Sequence, residues 1–74
     1  MNNFFRVFSY KNRDGSCNLR IFRRGTRIVV YEGKVFIKSE NDIINFISTL
    51  SEINQEEKEM LVQELRKIQK RITR

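Results

Sequence analysis

The sequence predicts an α+β fold, a four-stranded antiparallel β-meander followed by two α-helices (ββββαα), with both helices on one face of the sheet. Three observations predict it. Residues 4–38 alternate apolar β-branched and aromatic side chains with charged ones. The three glycines, Gly15, Gly25 and Gly33, punctuate that stretch. From Ser39 onward the apolar spacing changes from a period of two to that of a helix. With 74 residues, the chain has room for one domain spanning 1–74 and only a small core.

The first predicted strand is residues 4–10. Asn12-Arg13-Asp14-Gly15-Ser16 follows, and Asp-Gly is a hairpin signal because glycine tolerates positive φ. The second strand is 17–24, closed by Gly25; the third is 26–32, closed by Gly33; the fourth is 34–38. Connections this short join antiparallel neighbours. Ser39-Glu40-Asn41-Asp42 has the spacing of a capping box and starts a helix over 40–50, with Ile43, Phe46, Ile47 and Leu50 on one face. Asn54 and Glu57 mark a second start, and a helix is expected over 55–73. Its Leu61, Leu65, Ile68 and Ile72 fall within about 60° of arc. Glu56, Glu57 and Glu59 sit near its positive end, and Lys70, Arg71 and Arg74 near its negative end.

Strand parity divides the sheet into two sets. Phe5, Val7, Leu19, Ile21, Ile28, Val30, Val35 and Ile37 form an apolar set for the helices to cover. The other set is Phe4, Arg6, Phe8, Tyr10, Arg20, Phe22, Arg24, Arg27, Val29, Tyr31, Lys34, Phe36 and Lys38. It holds six aromatic residues, six cations and no acid. Rings interleaved with guanidinium and ammonium groups suit single-stranded DNA or RNA, whose unstacked bases reach the rings while cations neutralise phosphates. The expected binding residues are Arg6, Phe8, Tyr10, Arg20, Phe22, Arg24, Arg27, Tyr31, Lys34, Phe36 and Lys38. The same face also suits a homodimer interface or ordinary cross-strand packing.

Charge is segregated along the chain. Residues 1–38 carry 9 basic and 2 acidic residues (+7), residues 39–64 carry 1 and 7 (−6), and residues 65–74 carry 5 and none (+5), for a total of +6. The basic C-terminal cluster of Arg66, Lys67, Lys70, Arg71 and Arg74 is expected to be a solvated helix face, with a phosphate-contacting ridge as its functional alternative.

Enzymatic activity is not expected. The chain has no histidine, its carboxylates are scattered among turns and caps, and nothing orients Tyr10 or Tyr31 as a nucleophile. A single Cys17 closes no internal disulfide and, without histidine, no zinc site, so neither metal nor cofactor is expected. No apolar run is long enough for a membrane span and the first residues lack the order of a signal peptide, which predicts a cytoplasmic, reducing setting. Abundant Ile, Asn, Lys and Phe with no Ala, Pro or Trp suit an AT-rich genome, as in many Gram-positive bacteria and their phages. A second expectation follows from small size and a dense arginine and aromatic surface: a phage or mobile-element inhibitor or regulator that binds an acidic host protein.

Four antiparallel strands, then a helix, with a basic aromatic sheet face over residues 4–50, resemble the PUR-alpha and whirly class of single-stranded nucleic-acid binders. The resemblance lies in element order and face chemistry, and it implies binding across the sheet by a dimer. It carries over no individual residue, and the second helix departs from the simplest form of that pattern.

Overall fold

The computed structural model describes residues 4–72. Strands β1 (Phe5–Lys11), β2 (Cys17–Arg23) and β3 (Val29–Val35) precede helices α1 (Glu40–Ser48) and α2 (Gln55–Ile72). The strands form an antiparallel meander in the order β1-β2-β3. The α+β class therefore fits, but the expectation of four strands is overturned: the sheet has three.

The correction turns on Gly33. Read as a turn, it separates strands over 26–32 and 34–38; in the structure it lies inside one continuous β3. Glycine within a strand often marks a close approach. Here the Tyr31 hydroxyl lies 3.0 Å from where a Cβ on residue 33 would stand. Thr26 and Ile28, expected in a strand, belong to the connection after β2. The Thr26 hydroxyl donates to the Arg23 carbonyl at 2.8 Å and accepts the Ile28 N–H at 3.1 Å, a side-chain turn that competes with strand pairing. Phe36 and Ile37 run on past β3 toward α1, outside the ladder.

The β2–β3 register contains a second correction. Ile21 stands opposite Tyr31 and Phe22 opposite Val29, which leaves Val30 as an extra residue in a bulge. One extra residue reverses the facing of everything beyond it. Tyr31 consequently turns to the helix side, where its ring meets Phe46 edge-on at 4.8 Å. Ile28, expected beneath the helices, is 57% exposed.

The remaining parity places Phe5, Cys17, Leu19, Ile21, Val35 and Ile37 in the core, against Ile43, Ile47, Leu50, Ile53, Leu61, Leu65 and Ile68. Each such side chain contributes about 1.5–3 kcal/mol of burial. Gly15 adopts φ +89° in the β1–β2 turn, a conformation open to glycine at little strain. Asp14 closes that turn by accepting from the Ser16 N–H at 3.0 Å and the Ser16 hydroxyl.

Both helix starts are reciprocally capped. The Ser39 hydroxyl accepts the Asp42 N–H at 3.2 Å, and the Asp42 carboxylate accepts the Ser39 N–H at 3.2 Å. The Asn54 side chain accepts the Glu57 N–H at 2.8 Å, and Glu57 Oε1 accepts the Asn54 N–H at 3.0 Å. Glu57 does more than cap. Its Oε2 receives Arg23 Nη1 at 2.5 Å, while Arg23 Nη2 donates to the Glu52 carbonyl at 2.9 Å. The Arg23 guanidinium also lies 5.7 Å from the centre of the Phe5 ring. This one arginine thus ties the end of β2 to the start of α2 with a carboxylate that is almost wholly buried. At the other end of the helix layer, Arg66 holds Glu40 through Nε at 3.1 Å and Nη2 at 2.6 Å.

Two expected outcomes follow for stability. Leu65→Ala opens a cavity under the sheet and lowers unfolding free energy by about 2–5 kcal/mol, read as a lower urea midpoint at unchanged slope. The second concerns acid. Arg23, with help from the Asn54 N–H, holds the Glu57 carboxyl below its usual range. A depressed carboxyl stabilises the fold above its unfolded pKa of about 4.3, and that contribution disappears as pH falls through the lower folded value. Thermal midpoints should therefore fall on acidification below about pH 4.5, with Glu57→Gln melting lower at neutral pH and falling less steeply. An unchanged pH profile in that variant would contradict the assignment.

Candidate nucleic-acid interface

Both helices pack on one side of the sheet, so the other side stays open. The strand register sets its pattern. Arg6 stands opposite Phe22, Phe8 opposite Arg20, and Tyr10 opposite Asn18. Among Arg6, Phe8, Arg20 and Phe22, rings and cations therefore alternate along each strand and across the pair, a chequerboard of four that Tyr10 extends with a second ring in the β1 row. Phe8 is 50% exposed and Tyr10 70%. Phe22 is half-buried, because the diagonal neighbour Phe8 packs against it edge-on with ring centres 6.1 Å apart. The Arg6 guanidinium lies 5.5 Å from the centre of the Phe8 ring.

β3 contributes a less uniform row. Val29 stands opposite Phe22, Glu32 opposite Arg20 and Lys34 opposite Asn18. The expectation of a face without acid is thereby corrected: Glu32 shares the face and pairs with Arg20 at 2.5 Å. Lys34 is also engaged, its ammonium 3.0 Å from Asp14. Two hydrogen bonds from Ser16 and the nearby Lys34 ammonium hold the Asp14 carboxyl far below the usual range, so it remains an anion beside Lys34. Two expected cations are thus partly neutralised where they stand.

Arg24 and Arg27 lie exposed in the β2–β3 connection, at one end of the open face. Arg27, Thr26, Arg6, Phe8 and Phe22 line a shallow hollow there. Arg24 borders a neighbouring groove with Arg6, Phe8, Glu64 and Lys67. A third concavity runs along the middle of the face and includes Phe8, Tyr10, Asn18, Arg20, Phe22 and Glu32. Phe36 is 53% exposed, with the Lys38 ammonium 5.9 Å from its ring centre. Lys38 reaches the β1–β2 turn, 3.0 Å from where a Cβ on residue 15 would stand, so this pair lies at the opposite end from Arg24 and Arg27.

Of the residues expected at the interface, Arg6, Phe8, Tyr10, Arg20, Phe22 and Lys34 share the open face, with Arg24, Arg27, Phe36 and Lys38 at its ends. Tyr31 does not join them; the bulge places it against Phe46. Phe4, assigned by parity to the aromatic set, packs partly buried against the core. Val29 stands on this face as parity places it, whereas Asn18 and Glu32 belong to neither parity set of the sequence reading. Glu32 is found by counting back from Lys34 through Gly33 as strand rather than turn.

The C-terminal basic cluster belongs mainly to the helix layer. Arg66 is held by Glu40 and Lys67 is 3.9 Å from Glu64, while Lys70 and Arg71 are exposed. Arg74 lies outside the described residues. Leu61, Leu65 and Ile68 pack in the core with Ile72 partly buried against it, which is the sheet-packing role expected of that stripe. Cys17 is fully buried at the start of β2, and burial raises its thiol pKa. Among the described residues, no three or more acidic or cysteine side chains gather into a group that could hold a metal, and no helix is long and apolar enough to cross a membrane. Compared with known proteins, the chain matches no family model, no curated protein and no solved structure.

Proposed function

We propose that the open sheet face binds single-stranded nucleic acid, with Phe8, Phe22 and Tyr10 receiving bases and the surrounding arginines meeting phosphates. One observation carries this reading: Phe8 and Tyr10 stand half or more exposed in one row, with Phe8 set between Arg6 along the strand and Arg20 across it. Large aromatic rings left in water are unfavourable unless a partner covers them. Bases supply flat partners that need no sequence match, and each stacked base is worth about 1–3 kcal/mol. A duplex hides its base faces, so single strands are the favoured form.

A protein partner is the second reading. Ile28 (57% exposed), the last residue before edge strand β3, and Val29 (47%), its first, stand uncovered, and neither side chain offers anything to a phosphate. A strand edge with apolar neighbours suits backbone pairing with another chain. A stoichiometric acidic partner that stays bound after nuclease treatment favours this second reading, and one lost on that treatment counts against it.

The test of the first reading is an anisotropy titration of oligothymidylate at several salt concentrations. Binding should weaken linearly in log–log form, with a slope of about −0.7 per phosphate neutralised. Phe8→Ala and Tyr10→Ala should each cost about 1–3 kcal/mol of affinity with the fold intact by circular dichroism. Undiminished binding by the double variant would defeat the stacking account.

A further inference from the structure

The cations of the open face are not equivalent. In its middle and toward the β1–β2 turn, Arg20 is paired with Glu32 and Lys34 with Asp14. At the β2–β3 end, Arg6, Arg24 and Arg27 have no carboxylate within ion-pair distance among the described residues; Glu64, which lines the groove beside Arg24, has the Lys67 ammonium 3.9 Å away. Arg6 and Arg27 thus line the rim of one aromatic hollow, where Arg6 overlies Phe8 and Arg27 stands beside Phe22, and Arg24 borders the adjoining groove that shares Arg6 and Phe8. Resting on the nucleic-acid reading above, we infer that this end of the face takes the terminal phosphate of a strand, so that the protein prefers single strands carrying a phosphomonoester end.

The chemistry favours an end over an internal link. An internal phosphodiester carries one negative charge and exposes two free oxygens. A terminal phosphomonoester carries about −1.5 to −2 near neutral pH and exposes three. Guanidinium groups bind such oxygens through paired, charge-assisted hydrogen bonds, so three unneutralised arginines match a dianion better than a monoanion. The hollow beside them offers the edge-on Phe8–Phe22 pair to the terminal base. Further bases then run toward Tyr10, where the paired cations leave a weaker field. Field and rings together give the site a direction.

Calorimetric titrations with three unlabelled six-residue oligothymidylates test this: one with a 5′-phosphate, one with a 3′-phosphate, and one with hydroxyls at both ends. One phosphorylated end should bind at least about tenfold more tightly than the hydroxyl form, the worth of one charge-assisted hydrogen bond. In an Arg24→Gln/Arg27→Gln variant, exposed turn positions that leave the core untouched, that ratio should collapse toward one while the hydroxyl form still binds. Lys34→Gln, at the far end, should weaken all three alike and keep the ratio. Equal binding of the three oligonucleotides by the wild-type chain overturns the end preference and leaves the stacking site standing. A preference that survives in the double arginine variant overturns the assignment to these residues. Absence of binding to every oligonucleotide overturns both proposals.

Discussion

Both helices cover the same face of the sheet, and this arrangement shapes the rest of the molecule. Apolar side chains must gather on the covered side, because a chain of this size has no other place to build a core. Whatever the remaining face displays is left to water or to a partner. The core is correspondingly thin: six positions from the sheet region meet seven from the helices and their connection. The Arg23–Glu57 contact acts within that limit. It joins the end of β2 to the start of α2, and the same carboxylate completes the helix cap, so sheet and helix layer are fixed together by one side chain from each.

Much of this was legible in the sequence because period and chemistry agreed. Both helix starts could be read from Ser39 with Asp42 and from Asn54 with Glu57, since capping demands particular side chains at particular spacing. β1 and β2 could be read because each alternates without interruption. The failures lie in β3. Gly33 carries no side chain to distinguish it from the turn glycines Gly15 and Gly25, and only its pairing opposite Leu19 shows that a strand passes through it. The bulge at Val30 has no local signature: Ile28, Val29 and Val30 are all β-branched and apolar, so nothing in their identities fixes which of them faces the core. Parity counted from Arg27 therefore sends Tyr31 to the wrong side. The two errors share a cause, namely that facing in an edge strand is decided by its neighbour and not by its own residues.

The candidate interface was legible to the same extent. Its β1 and β2 rows stand as the alternation places them, whereas its β3 row lost a ring and gained a carboxylate. Charge alone also gave an incomplete picture. The formal excess of basic residues in 1–38 says nothing about which cations are neutralised at short range, and Glu32 and Asp14 draw that distinction only once register brings them beside Arg20 and Lys34. The four-strand likeness to PUR-alpha and whirly modules fails at the strand count, because the sheet has three strands. A three-stranded sheet offers a narrower platform, with β1 and β3 as its edge strands.

The contact between Tyr31 and Gly33 couples two positions that lie two residues apart on an edge strand. With the phenol oxygen in place, a methyl group at 33 would meet it at 3.0 Å and the ring carbon behind it at 3.4 Å. Removing only the hydroxyl relieves the shorter of these contacts. The identities of residues 31 and 33 are consequently coupled in part: the phenol oxygen crowds a methyl group at 33, while the φ of +157° at Gly33 strains an L side chain there whichever ring stands at 31. A library that varies the two sites together would separate these causes, since only the crowding depends on the ring retained at 31.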